Sequence, residues 1–232
     1  MPPLPTERPV IGRPLFLLNL KVYPGVLGPG AERIARTLED AGRVTGVAVA
    51  IAPAAPDLGR VAGAVAIPVL AQHVDPVEPG AHTGFVPPEA IAQAGGWGSL
   101  VNHSEHPLTS PHITQVVRRL SDLGLSAVVC ARNVAMSGRL AKSGPAFVAI
   151  EPPELIGGKR SVSTARPELV SRSVEAVHAV APKLPVLCGA GVHDRRDVAR
   201  ALELGSEGVL VASAVTRAVD PKAAILELLA GY

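Results

Sequence analysis

The chain has 232 residues, a formal net charge of +2 at pH 7, 47% hydrophobic residues and only 3% aromatic ones. A balance so close to neutral, with no Lys/Arg cluster interleaved with aromatics, excludes a nucleic-acid footprint. The core must be built from Ala, Val, Leu and Ile, side chains that suit parallel strands covered by helices, and the length allows one large α/β domain.

The opening segment, MPPLPTERPVIGRP, is rich in proline and has no basic stretch leading into an apolar one. No run reaches the roughly 18 apolar residues of a membrane span. We therefore expect a cytoplasmic protein with no membrane partner.

Eight short apolar runs then follow in order. They are LFLLNL from Leu15, VAVAIA from Val47, IPVLAQ from Ile67, SLVN from Ser99, LSAVVCA from Leu125, AFVAIE from Ala146, LPVLCGA from Leu184 and GVLVAS from Gly208. Most are apolar on nearly every residue, the pattern of strands buried on both faces. Helical patterns separate them. One opens at Ser110-Pro111, with Ser110 as candidate N-cap and Ile113, Val116, Val117 and Leu120 at helical spacing. Others start near Pro167, carry Val198, Ala199 and Leu202, or run from Pro221 to Leu229. Gly124, Gly144 and Gly205 mark ends or turns.

Eight strands in this length leave about 29 residues per strand-helix unit, close to the minimum for a (β/α)₈ barrel. We expect a single such domain over 1–232 with trimmed helices, those at Asp57–Ala64 and Val134–Lys142 being especially short. Strands so thinly covered point to a homo-oligomer, a dimer or tetramer. A doubly wound sheet would carry a glycine-rich phosphate loop after its first strand, and Asn19-Leu20-Lys21-Val22-Tyr23-Pro24 is no such loop. Cys130 and Cys188 sit inside apolar runs and read as reduced, buried thiols.

In a barrel the chemistry lies at the C-terminal ends of the strands. Polar residues appear abruptly there: Asn19 and Lys21, Gln72 and His73, Asn102-His103-Ser104-Glu105, and Glu151. Turns Gly189-Ala190-Gly191 and Ala212-Ser213 follow strands seven and eight, where barrels commonly grip phosphate. Three ionisable types at the ends of three strands form a constellation that packing does not require. No metal-ligand spacing is present; His106 reads as an ordinary loop residue, and His73, His82, His112, His178 and His193 have no assigned role.

The segments Asn19-Leu20-Lys21, Val101 to Glu105, Ala149 to Gly157, Ala71 to Gly84, Cys188 to Val192 and Gly208 to Val215 together resemble the triose-phosphate isomerases, in particular their short archaeal-type members. The resemblance implies an isomerase of glycolysis and gluconeogenesis that interconverts dihydroxyacetone phosphate and glyceraldehyde 3-phosphate. It implies no cofactor and no metal. Glu151 would be the base, His103 the group polarising the carbonyl, and Lys21 the fixed charge on enediolate and phosphate. Asn19 would hold the oxyanion side and Glu105 would pair with Lys21. Backbone groups of Gly157, Gly189, Ala190, Gly191, Ala212 and Ser213 would bind phosphate, under a lid at Pro152–Ala165.

The lid tip departs from the family: Ile156-Gly157-Gly158-Lys159 stands where Ile-Gly-Thr-Gly is usual. That departure motivates a neighbouring reading, isomerisation of a four-carbon ketose phosphate such as erythrulose phosphate. A Schiff base on Lys21, as in aldolases, and a non-catalytic phosphate-binding barrel are more distant alternatives.

Overall fold

The structure is a computed structural model and describes residues 10–155 and 161–232. Eight parallel strands form one sheet: β1 (Leu15–Asn19), β2 (Ala48–Ala52), β3 (Leu70–Ala71), β4 (Gly98–Val101), β5 (Ser126–Ala131), β6 (Phe147–Ile150), β7 (Val186–Gly189) and β8 (Gly208–Val211). Their spatial order is β2-β1-β8-β7-β6-β5-β4-β3. Closure falls between β2 and β3, where a bridge joins Ile51 to Val69 and the Ile51 N–H donates to the Pro68 carbonyl at 3.0 Å. This is the expected (β/α)₈ barrel. The run from Ile67 yields only two ladder residues, because Pro68 cannot donate to a neighbour.

Because alternate residues face opposite sides of each strand, the core has two layers. Leu15, Leu17, Ala50, Leu70, Leu100, Val128, Phe147, Leu187 and Leu210 fill the barrel. Phe16, Leu18, Ile51, Val129, Val148 and Val209 pack outward against the helices. Gly208 is required where it stands: its φ is 135°, and a side chain there would run into the backbone of Leu15 on the adjoining strand.

The helices are α1 (Pro29–Thr45), α2 (Leu58–Ala62), α3 (Pro88–Gln93), α4 (Ser110–Asp122), α5 (Val134–Ala141), α6 (Val162–Ala165), α7 (Pro167–His178), α8 (Arg195–Glu203), α9 (Ser213–Thr216) and α10 (Pro221–Leu229). The two short covers expected after β2 and β5 are present as α2 and α5. Four helices had gone unread: α1, the longest, α3, after β3, and the four-residue α6 and α9. One terminus is corrected. Thr109, not Ser110, occupies the N-cap of α4, and it makes no side-chain capping bond. Ser110 is already helical, the first residue of α4. Gly124, Gly144 and Gly205 all have positive φ, as turn glycines do.

Candidate active site

The barrel alternation also delivers the site. Continuing the inward-facing series upward leads from Leu17 to Asn19, from Leu70 to Gln72, from Ala149 to Glu151, from Leu187 to Gly189 and from Leu210 to Ala212. Asn19 and Glu151 are consequently buried, 4% and 5% exposed, at the mouth.

His103 and Lys21 do not follow from alternation. They need turns of the left-handed kind. Lys21 (φ 51°), Asn102 (φ 62°) and Ala190 (φ 71°) are the non-glycine residues with positive φ among the described residues, and all three lie here. Each is held from outside. The Lys21 N–H donates to Asn19 Oδ1 at 3.0 Å, and Gln72 Nε2 donates to the Lys21 carbonyl at 3.0 Å and the Ala52 carbonyl at 2.9 Å. Asn102 Nδ2 donates to the Cys130 carbonyl at 2.8 Å, while its Oδ1 accepts from the Leu108 N–H at 3.0 Å. The Ala190 carbonyl accepts from the Val162 N–H at 3.2 Å, tying the start of α6 to the turn after β7. Backbone strain maintained by this many contacts is characteristic of functional sites.

The reversal at Asn102 turns His103 over the barrel axis, where its Nε2 lies 3.5 Å from Glu151 Oε1. The Glu105 N–H donates to His103 Nδ1 at 3.2 Å. An Nδ1 that accepts leaves the proton of a neutral imidazole on Nε2, aimed at the mouth. Lys21 Nζ donates to Glu105 Oε1 at 2.7 Å, the pairing expected from the sequence. The second Glu151 oxygen, Oε2, is buried without a hydrogen-bond partner among the described residues.

Burial opposes a charge on His103, but the Glu151 carboxylate outweighs it and moves the imidazole above its ordinary pKa. Burial likewise pushes Glu151 upward; His103, Cys130 and Lys21 together pull it below the usual carboxylate value. Burial and the neighbouring Glu151 drive the Cys130 thiol well above its ordinary pKa. Both cysteines are free and buried, as expected.

Asn19, Lys21, His103, Glu151, Ala190, Gly191, Ala212 and Ser213 surround one small cavity of about 30 Å³. Gly189 contributes differently. A Cβ on it would stand 2.5 Å from Glu151 Cγ, so its lack of a side chain makes room for the carboxylate. Gly157 lies outside the described residues. A larger cavity, about 640 Å³, opens beside Lys21, Gln72, His73, Phe85, His103 and Glu105. His106, read from sequence as an ordinary loop residue, stacks on His73 in its wall with ring centroids 3.5 Å apart. Among the described residues no group of three or more His, Cys, Asp and Glu could hold a metal.

The sequence placed Gln72 at a strand end without giving it a role, and Cys130 was not recognised as a neighbour of the base. Gln72 carried a signal, an amide at the end of an apolar run; Cys130 carried none, being one more small apolar residue in β5.

A family model described as triosephosphate isomerase matches residues 14–229. The chain is 45% identical over 219 residues to the triosephosphate isomerase of Methanosarcina barkeri, covering 94% of this chain and 99% of that one. It is 46% identical over 217 residues to that of Methanothermus fervidus, covering 94% and 98%. Similarity to the protein of the same name from Methanoculleus marisnigri is 46% over 215 residues, covering 93% and 97%.

Proposed function

The chain belongs to the triosephosphate isomerase family, and from that premise we propose how it interconverts dihydroxyacetone phosphate and glyceraldehyde 3-phosphate with the residues described above. The observation that carries the assignment is the facing of Glu151 and His103 across 3.5 Å at the barrel mouth, beside Lys21.

Glu151 takes a proton from the carbon beside the carbonyl and returns it to the neighbouring carbon. His103 donates its Nε2–H to the carbonyl oxygen and passes protons between the two enediolate oxygens. Lys21 supplies fixed positive charge to that oxyanion and to the phosphate, in a geometry held by Asn19, Gln72 and Glu105. In the free site Glu151 and His103 stabilise each other's charged forms, which makes the carboxylate a weak base. Substrate entering between them separates the pair. Glu151 then regains basicity through its burial, and the Glu105 N–H favours the neutral form of His103. Both changes run toward catalysis.

Phosphate binds through backbone groups of Ala190, Gly191, Ala212 and Ser213, where glycine allows close approach and the turns after strands seven and eight point into the mouth. The segment from Pro152 to Ala165, with Gly157 as a further phosphate contact, acts as the lid that keeps the enediolate from water. No metal or cofactor takes part in the proposal. Lys21 is engaged as an ammonium with Glu105, an arrangement that favours a charge-supplying role over attack on a carbonyl.

Steady-state rates on triose and four-carbon ketose phosphates, measured side by side, test the substrate. We expect the larger kcat/KM on the trioses; a preference of orders of magnitude for the four-carbon substrate would overturn the assignment.

The protein also works as a homo-oligomer in this reading. The connection from β3 to α3 is long, Phe85 within it is 51% exposed, and Val22 beside the open mouth is 69% exposed. A cytoplasmic location accompanies it; no helix among the described residues is long and apolar enough to cross a membrane.

A further inference from the structure

Asn102 follows β4 directly and is 8% exposed, with a φ of 62°. Its Nδ2 donates to the Cys130 carbonyl of β5 at 2.8 Å. The next carbonyl along β5, that of Ala131, accepts from the Glu151 N–H at 2.8 Å. The base and the residue that turns His103 are therefore fixed to successive peptide groups of one strand. The β4–β5 ladder ends at Val101, paired with Val129, and the amide of Asn102 supplies a donor to β5 beyond that end. Its Oδ1 accepts from the Leu108 N–H at 3.0 Å, which closes the loop from His103 to Pro107. Inside that loop the Glu105 N–H donates to His103 Nδ1 at 3.2 Å, and the His106 N–H donates to the His103 carbonyl at 2.9 Å.

We propose that Asn102 is a positioning residue for the isomerisation: its amide, bridging β5 and Leu108, sets the place of His103 relative to Glu151. The inference rests on the roles given above to that pair. The position asks for three properties at once: tolerance of positive φ, a donor for the Cys130 carbonyl and an acceptor for the Leu108 N–H. Asparagine supplies all three. Glycine supplies the first alone, and aspartate lacks the donor. Without the amide the Cys130 carbonyl and the Leu108 N–H both lose this bond, and leaving such groups unpaired costs enough for the loop to shift. His103 shifts with the loop. The turns that bind phosphate in this reading follow β7 and β8 and lie outside it, so the loss falls on kcat and leaves KM unchanged.

The test is a pair of full-length variants assayed on triose phosphate. Asn102→Gly relieves the backbone and removes both bonds; its kcat falls by roughly tenfold to 10²-fold, the effect of a misplacement near 1 Å, while KM stays that of the parent. Asn102→Asp keeps the bond to Leu108 but sets an oxygen against the Cys130 carbonyl, and its kcat also falls. The added carboxylate is a like charge that raises the basicity of Glu151, so that fall reports position and not charge. A second readout needs no turnover. In the parent, Glu151→Gln moves the NMR titration of His103 downward; in the Asn102→Gly background that movement shrinks, because the two side chains no longer face each other as closely. Parent kcat in either variant overturns the proposal, as does a movement of His103 that keeps its full size. The rate of the parent decides the isomerase reading by itself, so failure of that reading is distinguishable from failure of this one.

Discussion

At the scale of residues, the site is a set of groups whose charge states depend on each other. His103 lies above its ordinary pKa because Glu151 outweighs burial; without that carboxylate, burial and Lys21 dominate. Resolved imidazole titration by NMR is therefore expected to place His103 above about 6.5 in the parent and below it in Glu151→Gln. An unchanged value would sever the link between the two. The stability sign follows. Glu151, depressed in the folded state, contributes stability that is lost as pH falls through its lowered value. His103, raised, contributes stability that is lost as pH climbs through its raised value, and between those limits the pair stabilises the fold. Gly189 is the steric counterpart, since Glu151 occupies the space a Cβ would need. Gly189→Ala is expected to displace the carboxylate and lower kcat about 10²-fold, the effect of a misplacement near 1 Å. Circular dichroism should remain that of the parent, and a variant with full kcat would show that Glu151 tolerates the shift.

At the scale of elements, the barrel was legible because buried parallel strands are apolar on successive residues, and those runs located all eight. What alternation could not deliver was the turning of His103 and Lys21, which depends on positive φ at Asn102 and Lys21 themselves. Asparagine tolerates that conformation and the motif contained it, but nothing in a lysine announces it. The cover after β3 was also illegible. Its helix has six residues, and the connection before it is fixed by distant partners: the Asp75 carboxylate accepts from the Val86 N–H at 2.7 Å, and Arg119 of α4 binds Glu89 of α3 at 2.6 and 2.7 Å and also donates to the Val77 carbonyl. Such a charge-assisted bridge between part-buried groups is worth about 1–2 kcal/mol. Arg119→Ala is expected to lower Tm by roughly 3–6 °C in a thermal melt. A loss of less than about 1 °C would mean that the connection is held by other contacts.

For the whole molecule, the homo-oligomer we propose is supported by the short helices α2 and α3 and by the exposed Phe85 in the connection before α3. Light scattering coupled to gel filtration is expected to give a multiple of the 23.8 kDa chain, and Phe85→Glu, which puts charge on the exposed connection, is expected to shift it toward monomer. A parent eluting as a 23.8 kDa particle would contradict the oligomer. The central claim is that this barrel moves a proton with Glu151. Its most direct test is kcat/KM for triose phosphate isomerisation by purified parent and Glu151→Gln. The account predicts an active parent and a loss of about 10²–10⁴-fold or more in the variant, the contribution of a positioned general base; a variant that turns over like the parent would contradict it.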